Sequence, residues 1–304
     1  MNEYPNAVKE QLSSIISEMS LHAWLFVKNP GKDFIRNRKL TFEKVIQLLI
    51  SMGGNSIYKE LLEFEGYDAN TATSSAFVQQ RDKILPLAFE FLLQKFIRSF
   101  SDVKKYRGYR LLATDGSDLH IPTNPHDPET YCQSKEERKG YNLLHLNAMY
   151  DLCSRIYVDT LIQPNRQANE CKALTVMVGR SDIKDKAIVI ADRAYESYNN
   201  FAHIEQKGWN YLIRVKDSDR NINGILSGLR LPTSGEYDIS IQRTLTKKQT
   251  NEVKAYPEIY KILKNDTLFD FLDLHKNKFY PLDFRKKKRL VFLTQQKYRG
   301  RFFN

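Results

Sequence analysis

Long apolar runs are missing from this chain. None approaches the roughly 18 residues of a membrane span, which argues against a membrane protein. Cysteine is scarce as well. Cys132, Cys153 and Cys171 are an odd number, with no Cys-x-x-Cys spacing and no nearby histidine pair, so neither a disulfide framework nor a structural zinc is expected. Gly (13) and Pro (10) are sparse and no low-complexity tract or repeat occurs, which excludes a largely disordered chain. The start, Met1-Asn2-Glu3-Tyr4-Pro5, lacks the charged-then-apolar pattern of a signal peptide. A soluble, cytoplasmic protein is the expectation.

What is present begins with charge. The net charge of +11 favours a polyanionic partner, because each phosphate met by Lys or Arg releases condensed counterions. With 304 residues there is room for about two domains at roughly 150 residues each, and a hydrophobic fraction of 41% can fill their cores.

Residues 1–105 read as a helical, DNA-binding domain. Val8, Leu12, Ile15, Ile16 and Met19 keep helical spacing, as do Phe42, Val45, Ile46 and Leu49. Gly53-Gly54 breaks the pattern, and Ser56 can cap a short helix. A serine-capped segment comes next, with Gln79, Gln80, Arg81 and Lys83 on a polar face, and Pro86 opens an apolar helix. Two short helices before a polar third allow a helix-turn-helix reader with those four residues in a groove; a small bundle with a solvated face fits equally well.

From about residue 106 the period changes. Tyr109–Ala113, Tyr141–Tyr150 and Ile156–Ile162 suit strands, Glu170–Val178 a helix, Ala187–Ala191 a buried strand, Ser197–Lys207 a helix and Tyr211–Val215 a strand. That order, three strands in a meander and then parallel units, is an α/β sheet with helices on its faces. Residues 106–217 would be the core, and 218–304 a β-rich appendage ending in a basic tail around Arg285-Lys286-Lys287-Lys288-Arg289.

Two carboxylates carry the chemistry. Asp115 and Asp192 each come directly after an apolar strand, and acids at the ends of neighbouring strands can hold the divalent ions of phosphodiester chemistry. Each has a plainer role open to it: Asp115-Gly116 is a hairpin-turn dipeptide, and Asp192 can cap the helix after its strand. His120 and His126 near Asp118 and Asp127 are more simply read as solvated loop residues than as metal ligands.

The stretches Ala113-Thr114-Asp115-Gly116-Ser117 and Ile190-Ala191-Asp192-Arg193-Ala194-Tyr195, with the helix and strand after them, resemble bacterial insertion-sequence transposases of the DDE type, IS-four group. The resemblance implies an RNase H-like mixed sheet with helices on both faces, preceded by the helical domain and followed by a β-rich insertion. It implies Asp115 and Asp192 as catalytic metal ligands, Mg²⁺ or Mn²⁺ as cofactor, a dimer, and the element's terminal inverted repeats as DNA partner. The third acid of the family sits in a Tyr-x2-Arg-x3-Glu-x6-Lys pattern, and no tyrosine after Asp192 carries a full one: Tyr211 has Arg214 but Ser at 218, and Tyr298 is followed by only six residues. Weak or absent cleavage is therefore expected, the basic tail being read as the mark of a frameshift or early stop. An inert DNA binder that competes or dimerises with a full-length relative is the alternative; recruitment of Glu196 or Glu236 as the third acid is another.

Overall fold

The helical spacing of the first hundred residues is realised as five helices in the computed structural model of the chain: α1 Glu3–Leu21, α2 Phe42–Ser51, α3 Ile57–Phe64, α4 Ser74–Arg81 and α5 Leu87–Arg98. The structure describes residues 3–36, 38–99, 103–133, 139–215, 224–232, 235–263, 269–272 and 278–288. Hydroxyl caps start the helices: Thr41 accepts from the Lys44 N–H, Ser56 from Lys59 and Thr73 from Ala76. The cap of α4 is thus Thr73, one position before the expected serine. Ile15, Ile16, Met19, Val45, Ile46, Leu61 and Phe77 close one core. This unit, Met1–Val103, is compact in itself.

The second unit, Lys104–Asn304, carries a six-stranded sheet. Its strands are β1 Arg110–Ile121, β2 Tyr131–Cys132, β3 Tyr141–Asp151, β4 Ile156–Pro164, β5 Ala187–Ala191 and β6 Asn210–Ile213; α6 (Glu170–Arg180) precedes β5 and α7 (Tyr198–Gln206) comes after it. The order is β2-β3-β1-β5-β6, with β4 also on β3. Pairing is antiparallel among β1, β3 and β4 and parallel among β1, β5 and β6, the mixed sheet of an RNase H-like core.

One expectation about this sheet is corrected. The first strand does not stop before Asp115 but runs to Ile121, because its antiparallel partner keeps pairing from Leu112↔Asp151 to Ile121↔Asn142. Asp115-Gly116 is therefore mid-strand and makes no hairpin turn.

Side chains alternate across the sheet. Leu112, Met149 and Val189 bury one face against Leu174 and Met177 of α6 and Ile204 of α7. On the opposite face Leu144, Leu146, Ile188 and Ile190 are half-buried, and Ile162 and Leu212 are exposed. Among the described residues both helices of the sheet lie on the first face, so the expected helix cover is present on that side.

Three further strands, β7 Tyr237–Thr246, β8 Tyr260–Ile262 and β9 Phe279–Lys288, with the short α8 (Asn251–Ala255), form a small sheet in the order β8-β7-β9. It shares a core with α7: Tyr198, Phe201 and Ala202 pack with Ile225, Leu226, Leu245 and Leu282. Buried Arg243 fastens this junction, donating to the Tyr198 hydroxyl and to the carbonyls of Ile225, Ser227 and Pro257. The described residues after 223 are thus packed within the second unit. The expected tail from Arg289 onward lies outside the described residues. Among those described, no helix is long and apolar enough to cross a membrane.

Candidate active site

The parallel register between β1 and β5 ends at Thr114↔Ala191, so the next residue on each strand is one of the two aspartates. Neighbouring strands lie about 4.8 Å apart, which sets Asp115 and Asp192 side by side at the carboxyl end of β5. Both are exposed. β5 stops there because Asp192 caps the next 3-10 turn, its Oδ1 accepting the Ala194 N–H at 2.7 Å. The plainer role read for Asp192 is real, then, but it occupies one oxygen. Asp115 Oδ1 accepts the N–H of Gly116 at 2.9 Å.

Around the next residue, Gly116, on the opposite face of β1, other groups meet that carried no local signal in sequence. Glu170, the first residue of α6, lays its carboxylate on Gly116: a Cβ at position 116 would stand 2.7 Å from Glu170 Oε1 and 2.7 Å from His145 Nε2. Only glycine allows that approach. The His145 ring lies between two acids, Nδ1 at 2.7 Å from Asp118 Oδ1 and Nε2 at 3.4 Å from Glu170 Oε1. Its Nε2 is buried and has no hydrogen-bond partner.

A buried relay positions Glu170. Tyr195, fully buried, donates to Asn147 Oδ1 at 3.3 Å, and Asn147 Nδ2 donates to Gln163 Oε1 at 3.2 Å. The same Gln163 oxygen accepts the Asn169 N–H, and the Asn169 side chain caps α6 through the Lys172 N–H. Burial pushes the Tyr195 phenol well above its ordinary range, and the negative charges of Glu170, Asp115 and Asp192 push it further. It stays a neutral donor beside the carboxylates.

The remaining candidates are spoken for or lie elsewhere. Glu196 Oε1 accepts the Ile225 N–H at 2.8 Å, and Glu236 precedes β7, which pairs with neither β1 nor β5. Asp127 accepts from Thr130 and Glu129 in its own turn, while His126 donates its backbone N–H to Asn124. In the helical unit Gln79 and Arg81 are exposed and Lys83 is half-buried, whereas Gln80 is buried and accepts from Lys83 Nζ at 3.1 Å.

Among the described residues no three His, Cys, Asp or Glu side chains close on a single metal position. The donor set still suits a hard divalent cation. Two adjacent carboxylates each keep an oxygen, Oδ2, outside the hydrogen bonds above, and Mg²⁺ is commonly held by one or two carboxylates with waters and substrate phosphates completing its shell.

Comparison with known proteins gives a family model, described as "Transposase DDE domain", that matches residues 106–274. No curated protein sequence matches the chain. Among solved structures, "Mos1 transposase paired-end complex with left transposon end" is 12% identical, with 59% of this chain and 69% of that one covered, at a TM-score of 0.23. "Crystal structure of the Mos1 Strand Transfer Complex" is 13% identical, with 66% of this chain covered and under two thirds of the other (63%), at a TM-score of 0.25.

Proposed function

The chain belongs to the transposase DDE-domain family, and from that premise we propose that it acts on the terminal inverted repeats of an insertion sequence, by metal-dependent phosphodiester cleavage and strand transfer. The observation that carries this reading is the β1–β5 register, which makes Asp115 and Asp192 neighbours. In it the two aspartates are the metal-holding and catalytic pair, with Mg²⁺ or Mn²⁺ as the ion. When bound, the cation neutralises charge on the scissile phosphate and activates the attacking water or hydroxyl. The chain's own contribution is placement. The sheet fixes Asp115, the turn fixes Asp192, and the Tyr195–Asn147–Gln163 relay steadies the start of α6, where Glu170 adds negative charge over Gly116, on the face of β1 opposite the Asp115 side chain. The helical unit binds the DNA through the exposed Gln79 and Arg81 and the half-buried Lys83, and two copies act together in the cytoplasm.

A second reading is favoured by one observation: among the described residues no third His, Cys, Asp or Glu side chain joins Asp115 and Asp192 at a single metal position. Cleavage by this chain is then weak or absent, and it serves as a DNA binder that competes or dimerises with an active relative. Nicking of terminal-repeat DNA in Mg²⁺ or Mn²⁺, run beside Asp192→Ala, separates the two. Robust nicking that vanishes in the variant contradicts the weak-activity reading; salt-sensitive binding with no nicking supports it. Nicking that persists in Asp192→Ala contradicts the assignment of the pair.

Glu170→Gln tests the added charge. It keeps size and helix position, so the melting temperature should hold while Mn²⁺ affinity falls about tenfold. An unchanged affinity by calorimetry assigns Glu170 a purely structural place.

A further inference from the structure

We propose that the helical unit seats a phosphodiester of a nucleic-acid backbone in a basic notch between the loop before α2 and the C-terminal end of α4. The proposal rests on the DNA-transposase reading and gives its DNA contact a place and a chemistry.

The notch is a cavity of about 210 Å³ whose wall carries four cations, Lys32, Arg36, Arg38 and Lys83, and no carboxylate. Among the described residues none of the four is paired with an acid. The nearby acids are engaged elsewhere: Asp33 Oδ2 accepts the Asn29 N–H at 3.0 Å and its Nδ2 at 3.2 Å, and Asp82 pairs with Lys28 at 2.9 Å. Four like charges around one small space repel each other, and nothing in the wall offsets them; an external anion does. Phosphate oxygens match the forked donors of Arg36 and Arg38, and a polymer that presents several phosphates gains further from counterion release.

The notch is also held in shape. Phe34 sits at φ 57°, in the left-handed region that bulky residues seldom adopt, with its ring edge-on to Phe42 at 5.7 Å. Such conformations persist where the surroundings over-determine them, and they gather at ligand sites. The loop's root is tied to the α4–α5 turn by Lys28 N–H to the Lys83 carbonyl and Leu85 N–H to the Phe26 carbonyl, both 2.8 Å. Lys83 is steadied by the Gln80 amide and lies 5.8 Å from the Phe34 ring. Gln80 thus builds the wall, and its amide is not free to read a base. Phosphate contacts of this kind set the register on DNA without specifying sequence.

The test is binding of the full chain to labelled terminal-repeat and scrambled duplexes across a salt series. It compares wild type, the double variant Arg36→Gln/Arg38→Gln, and Lys9→Gln as an exposed cation on α1. The double variant should bind both duplexes about tenfold more weakly, with the slope of log K against log salt reduced by about 0.9 for each phosphate no longer neutralised, and melt normally. Lys9→Gln should match wild type. If wild type binds DNA and the double variant binds it equally well with the same slope, the notch proposal is overturned and the transposase reading stands. If wild type binds neither duplex, both fall. Weakening confined to the terminal repeat also overturns it, because the notch would then be reading sequence. Inorganic phosphate at constant ionic strength should leave wild-type binding unchanged; displacement by phosphate would assign the notch to the free anion instead.

Discussion

Replacing Asp115 with asparagine should weaken Mn²⁺ binding by about a hundredfold or more and remove whatever metal-dependent nicking the chain performs. The expected size reflects how little else the substitution changes. Asp115 is exposed, and its strand is held by backbone pairing to β3 on one side and, up to Thr114, to β5 on the other. An asparagine oxygen can still accept the Gly116 N–H. The substitution removes one of two adjacent negative charges, and with it a hard oxygen donor of a kind that divalent ions require. Calorimetric titration of the folded variant gives the affinity, and its melting curve shows whether the fold is intact. A dissociation constant equal to that of wild type would remove Asp115 from the metal site.

The second large effect concerns stability. Asp151→Ala is expected to cost roughly 3–5 kcal/mol, the range found when one partner of a buried ion pair is deleted. Arg110 Nε donates to Asp151 Oδ2 at 2.7 Å, with the Arg110 side chain 8% exposed and that of Asp151 0%. The other aspartate oxygen accepts the N–H groups of Cys153 and Ser154 and so shapes the turn between β3 and β4. Alanine therefore strands a buried guanidinium and two turn donors at the foot of the strand that carries Asp115. Urea unfolding should show the loss. Adding Arg110→Met should recover part of it, because the uncompensated charge goes while the turn donors stay unsatisfied. A destabilisation below about 1 kcal/mol would mean that water reaches the pair and screens it.

How much of this was legible in the residues depends on where the controlling contacts lie. β5 was readable to both ends, since Ala187–Ala191 is short, wholly apolar and bounded by charge. The Ser56 cap and the C-terminal Gly208 at φ 74° are local, and they framed α3 and the end of α7 closely, while the α4 cap fell one residue early, on Thr73. The second half of β1 was not readable. Asp115-Gly116-Ser117-Asp118 has neither apolar content nor alternation, and it is a strand only because distant β3 pairs with it. The short β8 and α8 escaped for the same reason: pieces of three and five residues carry no period.

The site divides in the same way. Asp115 and Asp192 were visible because each comes after a recognisable apolar run, although their adjacency needed the register. Glu170 and His145 come from a helix start and a mid-strand position remote in sequence, and folding alone brings both to Gly116. The one hint for Glu170 was its place as an acid in the first turn behind an Asn169 cap, a position that usually serves only the helix. In the helical unit the polar face of α4 drew attention, while Lys32, Arg36 and Arg38 lay in a stretch with no period at all. Their meeting with Lys83 is tertiary.

The central claim, that Asp115 and Asp192 together hold a divalent ion, is tested most directly by mapping where a redox-active ion sits on the full chain. With Fe²⁺ in place of Mg²⁺, ascorbate and peroxide generate hydroxyl radicals that cut the backbone beside the bound metal. The account predicts two principal cuts, at residues 115–116 and 192–193, both suppressed by excess Mg²⁺. Cuts at only one of these positions, or at neither, would contradict it.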